Sequence, residues 1–166
     1  MAFTERGIQL ASRVWRAMPV GLRRTFLHST NDRFLVGVIG IIRDERDRVL
    51  VLEHRFRTPN AWGLPGGYID HGETLGEGLV REIQEEVGLE IAIEDAPAFD
   101  TELYVPGHYI SVTLLARAKG EKLTFSSEIL SGGFFSEDEL PEGTYTYHVE
   151  LLRRFWASLR DPGKAI

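Results

Sequence analysis

The chain is predicted to fold as a mixed α+β domain, and three observations predict it. Short apolar runs rich in β-branched residues occur both before and after residues 74–87. Residues 74–87 themselves place apolar side chains at every fourth position, as an amphipathic helix does. A second helical stripe closes the sequence at about 149–159. Strands first and last around one central helix make α+β order, rather than the strict alternation of a parallel sheet.

The elements follow in order. Residues 1–33 read as an arginine-rich helical arm carrying Arg6, Arg13, Arg16, Arg23 and Arg24. Ile8, Ala11, Val14, Trp15 and Met18 fall at helical spacing, and Pro19 ends that helix. The arm is expected to pack across the domain and help form a homodimer. A helix packed only on its own domain, or contact with an anionic surface, are the alternatives. The domain proper is expected over 34–160, with a short tail at 161–166. Residues 34–42 and 49–52 read as buried strands, with 44–48 as the polar turn of a hairpin. Residues 57–60 read as a loop. The run Trp-Gly-Leu-Pro-Gly-Gly at 62–67 leads into a glycine turn.

The central helix carries its own start and stop signals. Thr74 followed by Glu77 fits a capping box. Gly88 fits the left-handed residue just past a helix end. Leu75, Leu79, Ile83 and Val87, with Val80 beside them, make the inward face. Further strands are expected at 90–93, 99–105, 109–118 and 132–135, with a turn at 137–140. In the last helix Val149, Leu152, Phe155, Trp156 and Leu159 make the apolar stripe.

The chemistry concentrates on the central helix. A helix advances about 100° per residue, so Glu82, Glu85 and Glu86 share one face. Glu82 and Glu86 fall at the border of the apolar stripe, and Glu85 lies further toward solvent. Like charges at this spacing repel, and a hard divalent cation with a preference for oxygen ligands would offset them. Most glutamate-rich helices present only a solvated charged face. Here the surrounding residues form a longer pattern, G-x5-E-x7-R-E-U-x-E-E-x-G-U, with U a bulky aliphatic residue. It is filled by Gly67, Glu73, Arg81, Glu82, Ile83, Glu85, Glu86, Gly88 and Leu89.

This pattern resembles the Nudix box, the signature of the Nudix hydrolases. The resemblance covers roughly 34–159 and implies an α/β/α sandwich with a mixed β-sheet. It implies cleavage of a nucleoside diphosphate linked to a moiety X, giving a nucleoside monophosphate and phosphorylated X. It implies Mg²⁺ or Mn²⁺ held by Glu82, Glu85 and Glu86, with a backbone carbonyl near Gly67. Glu73 and Arg81 are expected to pair and hold the turn against the helix. Glu128 stands six residues before Phe134-Phe135, where many members carry a glutamate before an aromatic pair; Trp-Phe is the more usual pair. The resemblance gives Glu128 the role of extra metal ligand or general base, against a solvated loop carboxylate.

Substrate contacts are less local. His54, Arg55 and Arg57 follow the second strand and offer cations to the phosphates. Trp62, Tyr68, Tyr104, His108 and Tyr109 can stack on a base or fill core. Pro106 lies 17 residues after Leu89, near where ADP-ribose-cleaving members tend to carry proline. Tyr104 and Tyr109 lie where dinucleoside-polyphosphate members tend to carry tyrosine. The expected substrate is of the ADP-ribose or nucleotide-sugar type. The alternatives are a (d)NTP or oxidised-nucleotide pyrophosphatase, and a non-catalytic nucleotide sensor.

Composition bounds the rest. The 166 residues suit one domain with a sizeable core. A net charge of −6 argues against an extended nucleic-acid partner. The chain has no cysteine, so it has neither disulfides nor thiolate metal sites. No apolar run is long enough for a membrane span and no secretory apolar core is read, so a cytoplasmic location is expected.

Overall fold

The computed structural model describes residues 5–23, 25, 34–57, 61–94, 98–104 and 109–161. The chain divides into two units, Met1–Phe34 and Leu35–Ile166. In the first, helix α1 spans Glu5–Ala17 and Pro19 follows it. Arg23 turns back on this helix. Its Nε donates to the carbonyl of Met18 at 2.8 Å and its Nη2 to that of Arg16 at 3.1 Å, satisfying acceptors that a helix end leaves open.

The second unit is built on a mixed sheet. Strand β1 (Leu35–Arg43) runs parallel to β7 (Tyr109–Ala118), from Leu35 opposite Tyr109 to Arg43 opposite Arg117. The other pairings are antiparallel. β2 (Val49–His54) meets β1 at Arg43 and Val49, and also pairs β3 (Trp62–Gly63) and β8 (Ile129–Phe135). β4 (Gly66–Tyr68) lies on β1, and both β5 (Ile91–Ile93) and β6 (Asp100–Tyr104) lie on β7. The expected β1–β2 hairpin forms around buried Asp44, whose Oδ1 accepts the amides of Arg46 and Arg48, each at 2.9 Å.

A strand sends successive side chains to opposite faces, and here both faces are covered. Val38, Ile42, Leu50 and Leu52 pack with Leu79, Ile83 and Val87 of α2 (Leu75–Val87). Ile39, Ile41, Val49 and Val51 pack with Leu151, Leu152, Phe155 and Trp156 of α3 (Thr146–Arg160). The result is the α/β/α sandwich, with a sheet apolar on both sides between two amphipathic helices. No helix among the described residues is long and apolar enough to cross a membrane.

Helix α2 forms as its sequence dictates. The Thr74 hydroxyl accepts the Glu77 amide and the Glu77 carboxylate accepts the Thr74 amide, closing the capping box. Gly88 ends the helix at φ 64°, a left-handed conformation that glycine adopts without steric cost. Val80 is a correction. It falls at the margin of the stripe away from Glu82 and stays 41% exposed. Residues 62–63 and 66–68, where only a run leading into the glycine turn was expected, are short strands. β8 begins three residues before the expected 132, and α3 three residues before the expected 149.

Candidate functional site

A cleft of about 690 Å³ opens where β2, β4, α2 and the loop before β8 meet. Arg57, Gly67, Arg81, Glu82, Glu85, Glu86 and Glu128 all line it, together with His54, Phe56 and Tyr68. The helix places its carboxylates as the wheel predicts. Glu86 is nearly enclosed, Glu82 is half-buried, and Glu85 is 63% exposed.

Arg81 organises the turn. Its Nε and Nη2 donate to the two oxygens of Glu73 at 2.8 and 3.1 Å, a bidentate pair. Its Nη2 also donates to the Tyr68 carbonyl at 2.9 Å, and Glu73 accepts the Asp70 amide at 3.0 Å. The end of β4, the glycine turn and α2 are thereby tied together. The hydrogen bonds from Arg81 hold the Glu73 carboxyl below the usual range, and those with Glu73 and Glu82 hold the guanidinium above its own. Arg81 Nη1 reaches Glu82 at 2.9 Å and Glu85 at 3.3 Å.

Glu86 points the other way. It accepts the Gly66 amide at 3.3 Å, and its second oxygen lies 3.6 Å from His54 Nδ1. Burial pushes its carboxyl up to about 7; Arg57 and the Gly66 amide oppose that rise, and Glu82 and Glu128 add to it. Gly67 sits directly against Glu82, so close that a Cβ there would overlap the carboxylate.

Among the described residues no three carboxylate or imidazole groups yet converge on one point. The cause is visible: Arg81 draws Glu82 and Glu85 to itself, and Glu86 turns to Gly66. The donors still fit a hard divalent cation. They are all oxygens, and Glu86, whose carboxyl burial pushes up, is the group that a cation would relieve.

The cations after β2 divide. Arg57 lines the cleft, half-buried, with Nη1 donating to the Leu64 carbonyl at 3.3 Å; burial lowers its pKa, and Glu86 and Tyr109 oppose that. His54 also lines the cleft, but burial, then Arg57, hold its pKa at about 3, so it is a neutral imidazole and not the cation expected. Arg55 does not line the cleft. Its Nε donates to the Ser127 carbonyl at 2.9 Å and its amide to the Glu128 carbonyl at 2.8 Å, bracing the loop that carries Glu128. Glu128 itself is exposed at the rim.

The aromatics divide as well. Tyr68 lines the cleft and meets Tyr109 edge-on at 5.8 Å. Trp62 packs edge-on against Phe135 at 5.9 Å and belongs to the core beside α3. Tyr104 ends β6, and Pro106 and His108 lie outside the described residues. Two residues went unread in the sequence. Phe56 lines the cleft 77% exposed, and its position between two arginines just past a strand was the available signal. His148 accepts the Leu64 amide at 3.0 Å across 84 residues of sequence, which no local pattern announces.

A family model described as NUDIX domain matches residues 33–155. The chain belongs to the Nudix family. It is therefore a Nudix hydrolase, acting on diphosphate bonds, and enzymes of this family generally use divalent metal ions. It is 32% identical over 140 residues to an ADP-ribose pyrophosphatase of Methanocaldococcus jannaschii, covering 80% of this chain and 76% of that one. It is 29% identical over 134 residues to the 8-oxo-dGDP phosphatase NUDT18 of Homo sapiens, covering 75% of this chain and 41% of that protein. Among solved structures, a NUDIX hydrolase from Nitrosomonas europaea superimposes with a TM-score of 0.71 at 21% identity. That match covers 80% of this chain and 75% of the other, and it shares the fold.

Proposed function

We propose that this Nudix hydrolase cleaves a nucleoside diphosphate linked to a small X, of the ADP-ribose or nucleotide-sugar type, with Mg²⁺ or Mn²⁺. The observation that carries the reading is the cleft itself. One space brings together the carboxylates of α2, Glu128 on the facing loop and half-buried Arg57. Glu82, Glu85, Glu86 and the Gly67 carbonyl would hold the metal, as in the family. Such an ion offsets diphosphate charge and lowers the pKa of a bound water. Water attacks one phosphorus, the bridging P–O bond breaks, and the leaving phosphate departs with the bridging oxygen. The proton lost by the water passes to a carboxylate, and Glu128, exposed at the rim, is the proposed base.

Arg57 is the proposed phosphate contact. One guanidinium nitrogen is committed to Leu64, which orients the planar fork toward the cleft. Phe56 and Tyr68 give the rim apolar faces on which a base or ribose can pack. The archaeal pyrophosphatase, matched over most of both chains, supports the ADP-ribose type.

A second reading rests on the human 8-oxo-dGDP phosphatase: an oxidised or ordinary nucleotide with a free phosphate end. The test is kcat/KM for ADP-ribose against 8-oxo-dGDP and 8-oxo-dGTP with Mg²⁺ and with Mn²⁺. ADP-ribose is expected to lead. A preference above about tenfold for either free nucleotide, about 1.4 kcal/mol in the transition state, would overturn the choice. Full activity after metal removal with EDTA would overturn the metal requirement.

A further inference from the structure

We propose that His148, in the first turn of α3, is a positioning residue for the glycine loop, fixing the Gly66–Gly67 backbone by holding the Leu64 amide. Its effect on catalysis rests on the hydrolase reading above; its effect on the loop does not.

The connection from β3 to β4 is held from several sides. The Trp62 carbonyl accepts the Tyr145 amide at 2.9 Å. The Leu64 amide donates to His148 Nδ1 at 3.0 Å, and the Leu64 carbonyl accepts from Arg57 at 3.3 Å. The Leu64 side chain is fully buried in the core beneath α3. The Pro65 carbonyl accepts the Gly40 amide at 3.0 Å. The next group along is the Gly66 amide, which donates to Glu86, and the next residue is Gly67, against Glu82. Two of these contacts come from the start of α3, far from the family's sequence signature.

The imidazole suits this place. With Nδ1 accepting, its proton resides on Nε2, so the ring is the neutral tautomer. The residue is buried, with only 6% exposed. A Cβ on Gly63 would stand 2.7 Å from Nδ1, so the ring lies directly on the backbone. Tyr145 meets the ring edge-on at 5.1 Å and 88°. An apolar side chain here would leave a buried amide without an acceptor, so the loop would have to shift to find one.

The test compares His148→Leu, which removes the acceptor, with His148→Asn, whose Oδ1 can take the place of Nδ1. Calorimetric Mn²⁺ titration, kcat and KM, and thermal melting are measured for both. The Leu variant is expected to lose at least about tenfold in Mn²⁺ affinity and in kcat, the range seen when groups behind metal ligands are removed. KM should move less than twofold. The Asn variant should recover more than half of each loss on a logarithmic scale. A folded Leu variant within twofold of wild type would overturn the proposal, and so would an Asn variant that recovers less. If the Leu variant does not fold, ¹⁵N-labelled wild-type protein decides. A through-hydrogen-bond coupling between the Leu64 amide and His148 Nδ1 supports the proposal, and its absence at neutral pH overturns it. A wild-type protein that turns over no nucleotide would sink the substrate reading, while Mn²⁺ affinity and the coupling would still report on the loop.

Discussion

Glu85 and Glu86 are neighbours in the sequence, yet Glu86 is enclosed between Gly66 and His54 while Glu85 faces solvent beside Arg81. Replacing either by Gln keeps the shape and removes charge that a cation needs. Each variant is expected to lose at least about 10²-fold in kcat with an unchanged circular dichroism spectrum; a wild-type rate in Glu86→Gln would remove that residue from the metal site. Glu128→Gln should depress kcat much more than KM if that carboxylate takes the proton. Steady-state kinetics at saturating metal check this, and an unchanged rate would return the role to a glutamate of α2. His148 carries a different expectation. Its folded-state pKa is about 3, below the ordinary 6.5, through burial first and then Arg57 and His54. Above pH 6.5 the ring is neutral folded or unfolded. Below it the unfolded chain takes a proton that the folded chain refuses, so stability falls as pH drops from about 6.5 toward 3. Between pH 7 and pH 5 the melting temperature of His148→Asn should therefore decline less than that of wild type. Some slope remains, because His54 is held neutral in the same way.

Helix α2 was legible nearly to the residue, because its cap, its stripe and its left-handed end all depend on neighbours within four positions. The same locality makes its stability testable. Thr74→Ala removes the hydroxyl that accepts the Glu77 amide and should cost about 1 kcal/mol in urea unfolding; a loss below about 0.3 kcal/mol would mean that the box contributes little. Other elements were less legible for physical reasons. β3 and β4 are glycine-rich and two or three residues long, and only β2 and β1 beside them make them strands. The start of β8 is set by pairing with Glu53 and His54, across a register shift. α3 begins without a side-chain cap at Tyr145, so nothing local marked its first turn, and His148 was left out of the helix that positions it. The helix carboxylates Glu82, Glu85 and Glu86 were readable from one contiguous motif, and Glu128 from its spacing to Phe134-Phe135. The neutral state of His54, the bracing role of Arg55 and the exposure of Phe56 arise only when β2, α2 and the loop before β8 meet.

At the scale of the whole chain, the described core lies entirely within the second unit. The two apolar clusters draw on residues from Val38 to Leu159, with none from the described residues of the arm. The fold of the catalytic unit is therefore expected to survive removal of residues 1–33. What the arm adds is a separate question. Its helix is arginine-rich and amphipathic, and it keeps Val14 55% exposed. An apolar position facing water on a charged helix suits contact with a second copy of the chain, and a homodimer is the outcome expected in solution. Association that favours the folded state raises apparent stability with protein concentration. Full-length protein should therefore show twice the chain mass by light scattering, with a melting temperature that rises on concentration. The truncated protein should be folded and monomeric, with a lower melting temperature that concentration does not move. Identical mass and melting behaviour in the two proteins would show that the arm takes no part in assembly.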